Sequence, residues 1–376
     1  MSQDVGIVSN GPTKPLSSVH FLFNPNFRQT EIAMKRFGIG LLMLLMMGCV
    51  EDSRKKVVVY SPHGKDLLKA YEVAFEAQNP HVDVVWLDMG AQAVYERIRT
   101  EAANPQADLW WGAPNILFQQ AADEGLLMPY RPSWASQVEE THRDTKDRWY
   151  GNFLTPVGIA FNAETVKDPP KTWDELLDPK WKGRILVRYP LESGTMVALF
   201  GALILRQPTE QEGMRWLAKL DQQTKTYTAD PTQLYIKLAR QEGDLTLWNL
   251  PDILLQQKKG NPFGIAFPTG ETPVLIDAIA LVKGGRSPKE AIQFYEFITS
   301  QESMRDQAEE MYRIPVRKDI PADRLPAWMQ EYPISAMAIN WQSLGKSAKT
   351  WMKQWDERVK GRGAAFLAET STNSNQ

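Results

Sequence analysis

The chain has 376 residues, 43 Lys+Arg against 45 Asp+Glu, and a single cysteine. That balance excludes the basic footprint of a nucleic-acid binder, and one cysteine excludes a disulfide framework. Residues 1–48 hold four basic and two acidic side chains, so the remaining 328 residues carry 39 against 43, or −4. Their number exceeds one comfortable core, and two lobes are expected.

Residues 1–33 are polar, with Pro12, Pro15 and Pro25 and no sustained apolar period. They read as an upstream extension before a start at Met34, or as disordered chain. Residues 34–48 have the order of a secretory signal: Lys35-Arg36, an apolar run from Phe37 to Met47, then Gly48-Cys49. As a helix, this run spans roughly 16 Å, about half a bilayer core, so it can enter a translocon but cannot anchor as a span. The expected cut before Cys49 resembles that of a bacterial lipoprotein, whose cysteine carries the lipid. It implies a lipid-anchored protein of the periplasm or cell envelope. Residues 49–56 are a polar tether.

Val57-Val58-Val59-Tyr60 reads as a buried strand of a parallel sheet, broken by Ser61-Pro62-His63-Gly64. Leu67, Leu68, Tyr71 and Phe75 then recur at helical spacing. Val82 to Leu87 is a second strand, Met89-Gly90-Ala91 its loop, and Val94, Ile98 and Ala102 mark a second helix. Asp108-Leu109-Trp110-Trp111 is a third strand, Gly112-Ala113-Pro114 a loop, and Ile116 to Glu124 a third helix. Three strand–loop–helix units predict a doubly wound α/β lobe, with ligand at the carboxyl ends of its strands. Phe153 to Phe161 is extended. A second α/β pattern follows: strands at Ile185–Val187 and Leu245–Trp248, and helices at Ser193–Arg206, Pro231–Arg240 and Asp252–Lys258. Pro273 to Val282 is again extended, and Pro288 to Thr299 helical. Residues 57–156 and 270–320 are assigned to lobe 1 and 157–269 to lobe 2. Residues 321–361 are read as a C-terminal helical segment and 362–376 as a disordered tail.

The segment Pro170-Lys171-Thr172-Trp173-Asp174-Glu175-Leu176-Leu177-Asp178-Pro179-Lys180-Trp181-Lys182-Gly183 resembles a signature of type II extracellular solute-binding proteins of ABC importers. Asp108 to Gly112, Arg148-Trp149-Tyr150-Gly151 and Tyr312 to Arg317 agree with it. The nearest branch looks like the binders of ferric iron, phosphonates and sugar phosphates. In physical terms the signature is scaffold: Thr172 caps a short helix, Trp173 and Trp181 pack it, and Gly183 turns into a strand. The resemblance implies two lobes joined by extended hinge crossovers, near Thr155–Ile159 and Phe267–Pro273, that close over a small solute. It also implies permease and ATPase partners and a monomeric chain. No cofactor is implied beyond a ferric ion as ligand. Iron-binding relatives carry adjacent tyrosines where this chain has Trp248-Asn249, which weakens direct ferric coordination.

Candidate ligand groups sit in loops after strands. Ser61, His63 and Gly64 offer N–H groups and a hydroxyl for an anion, or form a solvated turn. Ser193-Gly194-Thr195 opens a helix and suits a phosphate, carboxylate or carbonate, or is an ordinary cap. Asn249 and Trp248 precede Asp252, which either receives a ligand ammonium or hydroxyl or favours its helix N-terminus. Met89, Gly90, Trp111, Gly112 and Thr155 flank the other loops, and alternation leaves at most one of Trp110 and Trp111 for the cleft. Arg313 is either a bidentate anion partner or an interlobe ion pair.

Enzymatic patterns are missing: no Gly-x-Ser-x-Gly, no His-Glu-x-x-His, no Gly-rich phosphate loop. His63, His81 and His142 have no metal spacing. A non-enzymatic transport protein is expected; a periplasmic sensor module and, further off, a periplasmic hydrolase are the alternatives. The identity of the ligand is not legible.

Overall fold

A computed structural model describes residues 53–332 and 334–372. The readings of residues 1–33, of the signal at 34–48 and of Cys49 lie outside them.

The three strand–loop–helix units form as expected. Strand β1 (Lys55–Ser61) pairs in parallel with β2 (Val82–Asp88) and β3 (Leu109–Pro114). Helices α1 (Lys65–Gln78), α2 (Ala91–Thr100) and α3 (Asn115–Asp123) follow them in turn. Short β4 (Leu127–Met128) then leads to the long strand β5 (Tyr150–Asn162). Lobe 2 supplies β6 (Ile185–Arg188), α4 (Gly194–Leu205), α5 (Glu210–Gln223), β7 (Thr224–Thr228), α6 (Pro231–Ala239), β8 (Leu245–Asn249), α7 (Leu250–Lys258) and β9 (Phe263–Ala266). The chain returns through β10 (Val274–Val282), α8 (Pro288–Ile298), α9 (Gln301–Met311) and β11 (Ile314–Pro315). It ends in α10 (Trp328–Glu331), α11 (Trp341–Arg358) and α12 (Gly363–Thr372).

The sheet order is β2-β1-β3-β10-β5-β8-β6-β7. Strand β5 belongs to both halves. Its residues 150–156 pair antiparallel with β10, and its residues 157–162 with β8 and β9. The change of partner falls at Pro156–Val157, where the Val157 N–H donates to the Pro273 carbonyl at 2.9 Å. Two extended crossovers thus lie side by side, the geometry a hinge needs.

Lobe 2 is built around α4, which is apolar all round because it is covered all round. Ser193 caps it, accepting from the Met196 N–H at 3.3 Å. The signature segment is scaffold: Thr172 Oγ1 accepts from the Glu175 N–H at 3.3 Å, and Trp173 and Trp181 are buried. Trp173 Nε1 also donates to the Glu271 carbonyl at 2.8 Å, tying the segment to the second crossover. Gly183 turns with φ +70°, a region that favours glycine.

Two expectations fail near the C-terminus. Residues 335–340 are irregular, and α11 starts at Trp341, with Asn340 as its cap. Residues 363–372 are a helix and not a disordered tail. The N–H groups of Gly361 and Gly363 donate to the buried Asp221 carboxylate at 2.8 and 2.9 Å, and Phe366 is buried. Docking against α5 supplies the burial that the polar composition concealed. Helix α5 itself, β7 and β9 were not anticipated.

Candidate functional site

A cavity of about 130 Å³ lies where the carboxyl ends of the strands of both halves meet. His63, Gly90, Thr155, Ser193, Gly194, Thr195, Trp248, Asn249, Asp252 and Arg313 line it, all singled out in the sequence. Arg188, Glu192 and Asp277 line it as well and were missed.

Arg188 ends strand β6 and is 6% exposed. Its Nη1 donates to the Thr228 carbonyl at 3.1 Å and to the Ala229 carbonyl, and its Nη2 to the Glu192 carbonyl at 3.1 Å. Its Nε is buried and has no partner among the described residues. Burial pulls this guanidinium down from its usual value, although arginine stays charged. Arg313, equally buried, approaches from the other half, with Nη2 at 3.8 Å from Asp252 Oδ1 and a second unpartnered Nε.

The acids are compensated differently. Asp252 Oδ2 accepts from Tyr235 Oη at 3.1 Å, Trp248 Nε1 at 3.0 Å and Asn249 Nδ2 at 2.9 Å. Asn249 in turn caps α7 by accepting from the Asp252 N–H at 2.9 Å. Asp252 thus sits in a braced helix start and also lines the cavity. Asp277 sits at a register shift in β10, the kind of bulge that re-aims a side chain. Thr155 Oγ1 donates to its Oδ2. Burial raises its carboxyl above the ordinary value, against the pull of Thr155 and Arg313. A raised carboxyl contributes stability that is full below its unfolded value, about 3.9, and is lost as pH rises through the folded value. Asp277→Asn is therefore expected to gain more in Tm over wild type at about pH 7 than at about pH 4. Calorimetric melting at the two pH values checks this.

His63 packs edge-on against Trp111 and Phe153, at 5.8 and 5.5 Å between ring centres. Burial, then Arg313, push it well below its usual value, so it is neutral. Its Nε2 is enclosed against Gly112, where a Cβ would overlap the ring.

Five sequence candidates, Ser61, Gly64, Met89, Trp111 and Gly112, lie elsewhere. Ser61 is fully buried and accepts from the His63 N–H at 3.2 Å, bracing the turn. Met89 packs against the core. Gly112 backs the His63 ring, and Trp111 is fully buried. Trp110 is buried too, stacked on Phe118 at 3.9 Å, because β3 is covered on both faces and neither tryptophan reaches the cleft. Gly64 lies outside this cavity, on a larger space beside it.

Gly194 lies against the other half. A Cβ there would stand 3.1 Å from Ala91 Cβ and 3.2 Å from both Leu117 Cδ1 and Pro114 Cδ, all in lobe 1. The glycine lets the two halves approach. Gly194→Val should hold them apart, enlarging the ligand-saturated radius of gyration and weakening binding about tenfold, or 1.4 kcal/mol. Small-angle scattering with calorimetry tests this; an unchanged profile and affinity would contradict it.

Among the described residues, no three His, Cys, Asp or Glu side chains are grouped so as to hold a metal ion. Tyr235's phenol is engaged with Asp252 and Trp248.

Residues 70–338 match the family described as bacterial extracellular solute-binding protein. A Salmonella typhimurium periplasmic protein named for binding 2-aminoethylphosphonate is 24% identical over 295 residues, covering 76% of this chain and 82% of that protein. Iron uptake protein A1 of Synechocystis is 25% identical over 267 residues, covering 66% of this chain and 73% of that protein. A periplasmic binding protein of Actinobacillus pleuropneumoniae, solved with fructose-6-phosphate bound, shares the fold with a TM-score of 0.73 at 22% identity, covering 82% of this chain and 99% of that one.

Proposed function

The chain belongs to the bacterial extracellular solute-binding protein family, and we propose that it serves an ABC importer by closing over a small solute that carries an oxyanion. One observation carries the anion reading. Two buried arginines from opposite halves line one cavity, and each has an Nε with no partner among the described residues. Two guanidiniums beside one cavity favour an anionic oxygen there through charge-assisted hydrogen bonds. The start of α4, with the Ser193 and Thr195 hydroxyls, adds N–H groups and a favourable dipole. The donors are nitrogens and hydroxyls, suited to anionic oxygen more than to a bare ferric ion. Iron, as in the uptake relative, would enter as a complex held through its anionic ligand. The chain performs no catalysis; it hands the solute to permease and ATPase subunits and acts as a monomer.

Titrating inorganic phosphate into wild type and Asp277→Asn tests the sign of the site's charge. Removing one anionic side chain should tighten phosphate about three- to tenfold, or roughly 0.7–1.4 kcal/mol. Unchanged or weaker phosphate binding in the variant counts against the proposal.

The same reading places the mature chain on a membrane through lipidated Cys49. Cys49→Ala should shift the protein to the soluble fraction or leave an unprocessed precursor. A variant that fractionates and migrates like wild type removes the anchor from the account.

A further inference from the structure

The oxyanion cavity is too small to be the whole ligand site. At about 130 Å³ it is well below the ~300–1,000 Å³ of small-organic-ligand sites, room for an anionic group alone. A second space of about 710 Å³ adjoins it between the same two halves, well within the ~300–1,000 Å³ of small-organic-ligand sites. Pro62, His63, Asp252 and Arg313 line both. The two spaces therefore meet at the Arg313–Asp252 pair, whose 3.8 Å separation is too long for a hydrogen bond.

The larger space has an apolar side. Ile236, Ala239 and Leu255, from α6 and α7, face Leu67 and Met311 across it. Its rim is charged, and two ion pairs join the halves there: Lys258–Glu310 at 3.0 Å and Lys259–Asp66 at 4.0 Å. These pairs tie the two halves together beside the larger space.

We propose that the solute has two parts: a terminal oxyanion in the small cavity and a partly apolar organic body, about the size of one ring, in the larger space. Arg313 and Asp252 stand at the neck between them. Ile236, Ala239 and Leu255 select the body, and this role rests on the oxyanion reading of the small cavity. The site thereby distinguishes an organic anion from the bare anion of the same head.

The test compares head and body in two chemistries, by calorimetry on the full chain. Inorganic phosphate is paired with phenyl phosphate, and acetate with phenylacetate. In at least one pair the ring-bearing member should bind at least tenfold tighter. Ala239→Trp, which fills the larger space, should abolish that gain while moving the bare head's affinity less than threefold. Leu255→Trp, on the neighbouring helix α7, should do the same and serves if the first variant misfolds. Equal affinities within both pairs, or a gain that survives a folded tryptophan variant, overturns the inference and leaves the oxyanion cavity standing. Failure of all four probes to bind overturns both readings.

Discussion

Replacing Arg313 with methionine is expected to weaken oxyanion binding at least a hundredfold, about 2.7 kcal/mol. The side chain is 7% exposed and stands between two acids. Its guanidinium lies 3.8 Å from Asp252 and lowers the raised carboxyl of Asp277. Removing it takes a buried positive partner from the ligand and leaves two carboxylates facing the cavity with Arg188 as the remaining guanidinium. Truncating one member of a buried, hydrogen-bonded charge pair costs about 2–5 kcal/mol in binding. Asp252 keeps its three donors, so its helix start should persist. Arg313→Lys, which restores the charge without the fork, should recover part of the loss. Calorimetric titration with inorganic phosphate reads both variants. A fall below threefold for Arg313→Met would mean that the arginine only bridges the lobes.

Trp355→Ala carries the largest stability effect. Trp355 in α11 is 1% exposed and packs edge-on against Phe200 and Tyr227, at 5.3 and 5.2 Å between ring centres. Phe200 belongs to α4, whose first turn carries the candidate anion site. Truncating a buried tryptophan costs about 3–5 kcal/mol, which lowers Tm by roughly 6–10 °C at about 2 °C per kcal/mol for a domain of this size. Scanning calorimetry measures the shift. A loss under about 1 kcal/mol would make the C-terminal helices an appendage to lobe 2, where the structure shows α11 packed into its core.

The strands and helices of lobe 1 were legible because each carries a strong period and a breaker. The start of α4 was legible because Ser193-Gly194-Thr195 opens an apolar run. Arg188 and Asp277 were not. A lone charge in or at the end of an apolar strand reads as its exposed face, and only the packing of the second half buries it. The signal was available: both are charges at a strand end or bulge, where α/β sheets bind ligands. Helix α5 announced itself as well. Thr209 and Glu212 form a reciprocal capping pair, at 3.2 Å from the Glu212 N–H and 2.9 Å between side chains. Gly194 shows the opposite failure. It was read with Ser193 and Thr195 as part of a helix start suited to an anion, but what lies against it is Ala91, Pro114 and Leu117 across the lobe boundary, which no local pattern encodes.

The central claim is that the two lobes close on an anionic solute. Mass spectrometry of the small molecule released from the purified chain lacking residues 1–49 tests it most directly. The account predicts a molecule bearing a phosphoryl, phosphonate, carboxylate or related oxyanion, alone or as the ligand of a metal. A released molecule with no anionic oxygen group, cationic or neutral, would contradict it.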